Sequence, residues 1–129
     1  EEITQIDIAN EPVHIGDGTV NEWEDPVGKP SYTTFFSLPY QPSLGALLSI
    51  NSFHVKCANA ISINEEYLGN VPGMYEQVWA GDVDIFVPQE MLVEGGNQLR
   101  IDSTSCNHTS GLDDFMVKSL TIMIDDQTE

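Results

Sequence analysis

The sequence predicts an all-β chain folded as a two-sheet antiparallel sandwich. Three observations predict it. Turn formers recur roughly every 8–12 residues, the spacing of sandwich strands. The runs between them alternate apolar with polar residues or are rich in β-branched and aromatic ones. No stretch sustains the roughly 3.6-residue period of a helix, which removes helical bundles and βαβ units. At 129 residues the chain has the length of one domain, read here as 1–129. No linker divides it and no internal repeat marks it.

The elements follow in order. Ile3 to Ala9 alternates, with Ile6 and Ile8 set among Gln5 and Asp7, and reads as a strand. Residues 10–31 carry Gly16-Asp17-Gly18, Asp25-Pro26 and Lys29-Pro30, and read as loop around one short strand at most. Tyr32 to Leu38 is a β-rich run stopped by Pro39, and Pro39-Tyr40-Gln41-Pro42 is a turn. Ala46 to Cys57 reads as one long strand and Ile61 to Asn64 as another. Val83 to Val87 is a strand ended by Pro88. Pro88 to Leu92 can form a single helical turn, with Pro at its start and Gly95-Gly96 beyond its end. Gln98 to Ser103 and Phe115 to Ile124 complete about seven or eight strands. Leu99 and Ile101 should face the core, with Arg100 and Asp102 facing out.

Charge narrows the partners. The chain has 21 acidic and 4 basic residues, a formal net charge of −17. Only Lys29, Lys56, Arg100 and Lys118 could meet phosphates, and they are scattered, so nucleic acid is excluded as a partner. An anionic membrane surface is disfavoured for the same reason, and no apolar run is long enough for a membrane-spanning helix. A hydrophobic content of 40% argues for a folded core in spite of the charge. Self-repulsion of this size is relieved where salt screens it, which points to a high-salt habitat. An acidic secreted protein from ordinary water is the alternative.

Cys57 and Cys106 are the two cysteines. There is no CxxC, no HExxH and no Cys/His cluster, so a zinc site is not indicated. Paired, they would close a large loop and place the chain in an oxidising, exported setting; unpaired, they are two buried thiols. The triplet Asn107-His108-Thr109 suits a surface loop of an exported protein, although such triplets arise by chance. The chain opens on Glu1, which fits either a removed leader or a segment of a larger protein.

Residues 61–103 carry a resemblance. Ile61-Ser62-Ile63-Asn64-Glu65-Glu66-Tyr67-Leu68-Gly69-Asn70 resembles the strand–turn–strand hairpin of galactose-binding-like jelly rolls. Asn64-Glu65-Glu66 stands where that turn usually reads Asn-Gly. Trp79, the strand Val83 to Val87 ending at Pro88, and Gly95-Gly96-Asn97-Gln98-Leu99 are similar to the family's following segment. Asp113 to Leu120 is similar to its closing strand. The resemblance covers about half the chain and implies a jelly-roll sandwich, as in sugar-binding modules and the non-catalytic sandwiches attached to glycosidases. This fold hosts many roles, so it carries the architecture further than the function.

Sugar sites set aromatic faces against C–H surfaces, with carboxylates and amides on the hydroxyls. Candidates are Trp23, Trp79, Tyr75, Tyr67 and Glu76. Trp23 lies in a polar loop, where it either contacts a ligand or folds back onto the sandwich. Trp79 is either a stacking face or a residue of the core or sandwich edge. The resemblance also implies a structural Ca²⁺ where the N-terminal strand meets the final loop, with Asp17, Asp113 and Asp114 as ligands; solvated loop acids are the alternative.

Catalysis finds little support. His14, His54 and His108 form no motif, no GxSxG exists, and 21 acids make some close carboxylate pair, such as Glu76 with Glu90, unremarkable. The expectation is therefore a non-enzyme: an exported or cell-surface sandwich module that binds carbohydrate. Two alternatives remain. One is a structural subunit of a surface filament, envelope or virion, in contact with copies of itself. The other is an accessory domain of a glycosidase.

Overall fold

Alternation along each strand gives it one apolar face, and two sheets bury those faces against each other. The computed structural model describes residues 3–16, 29–107 and 111–125. Its strands are β1 (Ile3–Ala9), β2 (Val13–Ile15), β3 (Ser31–Leu38), β4 (Ala46–Phe53), β5 (Ala60–Ile63), β6 (Glu66–Asn70), β7 (Val83–Val87), β8 (Gly95–Asp102) and β9 (Phe115–Asp125). One 3-10 turn, Gln89–Met91, follows Pro88. Among the described residues no helix is long and apolar enough to cross a membrane.

The strands form two antiparallel sheets. The five-stranded sheet runs β1-β9-β4-β7, and β2 pairs with β9 beyond the end of β1. The four-stranded sheet runs β3-β8-β5-β6. Leu48, Ile50, Phe115, Val117, Leu120 and Ile122 of the first sheet meet Phe36, Leu38, Ile61, Ile63, Leu99 and Ile101 of the second in one core. The fold class is thus the two-sheet antiparallel sandwich that the strand pattern implies.

Three details differ from the sequence expectation. Among the described residues there are nine strands where the sequence pattern predicted about seven or eight, because β2 and β6 are short and their alternation is weak. The strand from Ala46 ends at Phe53 and does not reach Cys57. His54 turns to φ 63°, and the Val55 amide leaves the ladder to bond the Met74 carbonyl at 2.8 Å. Finally, β9 switches parity. Pairing shifts between Ser49 and Asn51 of β4 and between Asp7 and Ala9 of β1, both opposite the stretch where Ser119 sits at φ 57°. This bulge lets Phe115 and Val117 face the core together with Leu120, Ile122 and Ile124, which simple alternation puts on opposite faces.

The β5–β6 connection is a two-residue hairpin. Asn64 and Glu65 both have positive φ, 51° and 72°, so they do the work of an Asn-Gly turn without the glycine. Neighbours hold the turn in place. Asn64 Nδ2 donates to Met91 O at 2.8 Å and to Asn97 Oδ1 at 2.9 Å, and Asn64 Oδ1 accepts from the Gln98 amide at 2.9 Å. Asn97 is buried, and its Nδ2 donates to Val93 O and Gly95 O. The Gly-Gly-Asn segment is therefore a clamp joining the hairpin turn to the loop after the 3-10 turn.

Candidate functional site

The outer face of the four-stranded sheet follows from the same parity. With Phe36 and Leu38 in the core, Thr33, Phe35 and Ser37 point out. With Leu99 and Ile101 in the core, Gln98, Arg100 and Asp102 point out. The ladder sets these in rows: Thr33 opposite Arg100, Arg100 opposite Ser62, Ser62 opposite Tyr67. Phe35 lies one row along, opposite Gln98.

This face carries the two most exposed aromatic rings among the described residues, Phe35 at 67% and Tyr67 at 64%. Ladder geometry separates their Cα atoms by about 16 Å, three strand spacings across and two residues along. Polar groups fill the interval. Arg100 is fixed by its Nε to Asp102 Oδ1 at 2.8 Å and its Nη2 to Ser31 Oγ at 3.3 Å. Three of its five N–H donors remain for a ligand. The Tyr67 hydroxyl donates to Asn70 Oδ1 at 2.9 Å, which holds the ring along β6. Beside Phe35 a notch of about 520 Å³ is lined by Asn64, Glu65, Gly96, Asn97 and Gln98. Two rings bracketing amide, hydroxyl and guanidinium donors can stack on sugar C–H faces while bonding hydroxyls.

The other candidates fall elsewhere. Tyr75, Glu76 and Trp79 lie on the β6–β7 connection, against the end of β4. Trp79 bridges to Phe53, whose ring sits 5.3 Å away, and Lys118 Nζ lies 4.2 Å from the Trp79 ring centroid. Its faces are thus engaged by the protein, and the ring is half-buried. Tyr75 and Glu76 are exposed, and His54 Nδ1 lies 2.7 Å from Tyr75 O. Tyr67 alone of the four joins Phe35. Trp23 and Asp17 lie outside the described residues.

Asp113 and Asp114 are buried and turn to protein partners. Asp113 Oδ2 accepts from the Lys56 amide (2.8 Å), the Cys57 amide (2.9 Å) and Asn59 Nδ2 (3.0 Å). Asp113 Oδ1 makes no hydrogen bond and is held by charge, with Lys56 Nζ at 3.2 Å. Asp114 Oδ1 lies 2.9 Å from His14 Nε2. A Cβ on Gly16 would overlap the Asp114 carboxylate, so that position must stay glycine. Among the described residues no group of three or more His, Cys, Asp or Glu side chains is arranged to hold a metal. Cys57 and Cys106 are joined, with Cα atoms 5.8 Å apart, and the Asp113 bonds hold the successive amides of Lys56 and Cys57 that lead into the bridge.

The outer face of the five-stranded sheet differs in kind. A groove of about 570 Å³ is lined by Asp7, Asp82, Asp84, Gln5, Ser49 and Thr121 among others. It adjoins an apolar hollow of about 350 Å³ at Leu44, Leu47, Phe86 and Met123. Polar and apolar groups are segregated here, whereas on the opposite sheet they interleave.

Phe35, Gln98 and Arg100 were not among the sequence candidates. A signal existed. Adjacent Phe35 and Phe36 in a strand must point to opposite faces, so one of them had to be exposed.

No family model and no curated protein matches the chain. Among solved structures, it is similar to a β-porphyranase of glycoside hydrolase family 86 from the human gut bacterium Bacteroides plebeius. The TM-score is 0.52 at 15% identity, over 95% of this chain and 20% of that one. The chain therefore spans a fifth of the neighbour's length, and the likeness is one of fold, to a sandwich within a carbohydrate-active enzyme.

Proposed function

We propose that this chain is a non-catalytic carbohydrate-binding sandwich of an exported or cell-surface protein, and that it binds on the outer face of its four-stranded sheet. The observation that carries the reading is the pair of exposed rings, Phe35 and Tyr67, on one face with Gln98, Ser62 and a braced Arg100 between them. The ridge is open and preformed, and its spacing suits a glycan chain rather than a single ring. The disulfide is compatible with an oxidising compartment.

The test is retention in affinity gels containing soluble polysaccharides, with wild type, Phe35→Ala and Tyr67→Ala. Covering roughly 60 Å² of ring face at about 25 cal/mol/Å² stabilises the complex by about 1.5 kcal/mol, roughly tenfold in Kd. Each variant should lose about that much while its melting temperature stays near wild type, since both rings are largely exposed. Tyr75→Ala should change nothing. Equal retention of all four proteins would sink the site.

A second reading is favoured by one finding. The solved neighbour carries the matching segment as 20% of a larger glycosidase chain. An accessory domain, holding substrate near a catalytic domain, uses the same binding face.

A further inference from the structure

We infer that the glycan bound on the β3-β8-β5-β6 face is uncharged, and that the face is built to turn away uronic and sulfated chains. This rests on the proposed carbohydrate site. The argument is the placement of the four cations. Lys56 is ion-paired with Asp113 in the interior. Lys118 lies over Trp79, on the other sheet. Lys29 precedes β3 and is bridged to Ile15 at the corner of the sandwich. Arg100 alone lies between the two rings, and its charge is cancelled at contact distance by Asp102, 2.8 Å from its Nε.

Asp102 also accepts the Ser31 hydroxyl at 2.5 Å, so the carboxylate is fixed beside the guanidinium. The second carboxylate at the face is Glu65, on the wall of the notch beside Phe35. Two carboxylates thus oppose one guanidinium, on a chain of net charge −17. An anionic polymer meets no uncompensated cation there and is repelled at long range. Arg100 keeps free N–H donors for neutral hydroxyls, so it serves as a hydrogen-bond donor with its charge already balanced.

The experiment uses three soluble probes, a neutral mannan, alginate and a sulfated carrageenan, with the intact chain. Retention is measured at about 0.05 M and about 0.5 M salt, where the screening length is about 14 Å and about 4 Å. The expected result is retention on the neutral polymer alone, changed less than twofold by salt and weakened about tenfold in Phe35→Ala and in Tyr67→Ala. Asp102→Asn, and separately Glu65→Gln, should gain retention on the anionic probes at low salt, because the first removes the carboxylate paired with Arg100 and the second removes the negative charge on the notch beside Phe35. Stronger retention of alginate or carrageenan than of mannan, through the same two rings, overturns the inference and leaves the binding reading intact. Anionic retention unchanged in both carboxylate variants overturns the assigned role of Asp102 and Glu65. Retention on no polymer, together with silence in a broader neutral panel, overturns the binding reading itself.

Discussion

Replacing Asp113 by Ala tests the account of the interior most directly. The carboxylate is fully buried, accepts from three donors (the Lys56 and Cys57 amides and Asn59 Nδ2) and is ion-paired with the Lys56 ammonium. Ala leaves two backbone N–H groups and one N–H of the Asn59 amide, whose other bond goes to Cys57 O, without an acceptor, and removes the charge partner of a largely buried cation. Each unsatisfied buried donor costs about 1–3 kcal/mol, and breaking a buried ion pair from one side costs about 3–5 kcal/mol. These losses share one site and do not add, so the expected total is about 4 kcal/mol. That is a large part of a domain's usual stability of about 5–15 kcal/mol. In urea, with a slope of about 2 kcal/mol/M, the midpoint should fall by about 2 M. Asp113→Asn retains an oxygen acceptor but loses the charge facing Lys56, and should fall between Ala and wild type. A midpoint shift for Ala under about 0.5 M would refute the reasoning. Wild-type stability in Asn would show that the Lys56 ion pair contributes nothing.

Three further predictions follow from the same geometry. Glu65→Gly should stabilise the protein by about 1 kcal/mol in urea denaturation, because Glu65 holds a φ of 72° that glycine adopts without strain; a loss of stability would contradict the turn. The bridge Cys57–Cys106 closes a separation of 49 residues, so the double Ser variant should lose about 4 kcal/mol on the chain-entropy model, read as a fall in melting temperature. Raising salt from about 0.1 M to about 1 M should raise the melting temperature of a chain of net charge −17, and a flat response would defeat the high-salt expectation.

Much of the strand pattern was legible in advance because parity is local. Leu99 and Ile101 had to share a face, with Arg100 and Asp102 on the other, whatever the rest of the chain did. The hairpin over residues 61–70 was legible only through its resemblance to galactose-binding-like jelly rolls, with Asn64-Glu65-Glu66 as its turn; the apolar pattern marked the strand from Ile61 and not its partner β6. The parity switch at Ser119 was not, since a bulge is set by pairing with β1 and β4. Trp79 was weighed as a stacking face, but whether a loop Trp is open depends on Phe53 and Lys118, distant in sequence, lying against it.

By itself the sequence determined the class of fold, the spacing of its strands, the net charge of −17, and the clash of Phe35 with Phe36 over one inward position. Only the tertiary structure decided that Phe35 and Tyr67 share a surface, that Arg100 lies between them neutralised by Asp102, and that Asp113 serves the chain's own amides. The physical reason is that side-chain direction repeats every two residues along a strand. Which strands become neighbours is instead settled by burying all the apolar faces at once, and that choice brought β3 and β6 into one sheet across β8 and β5.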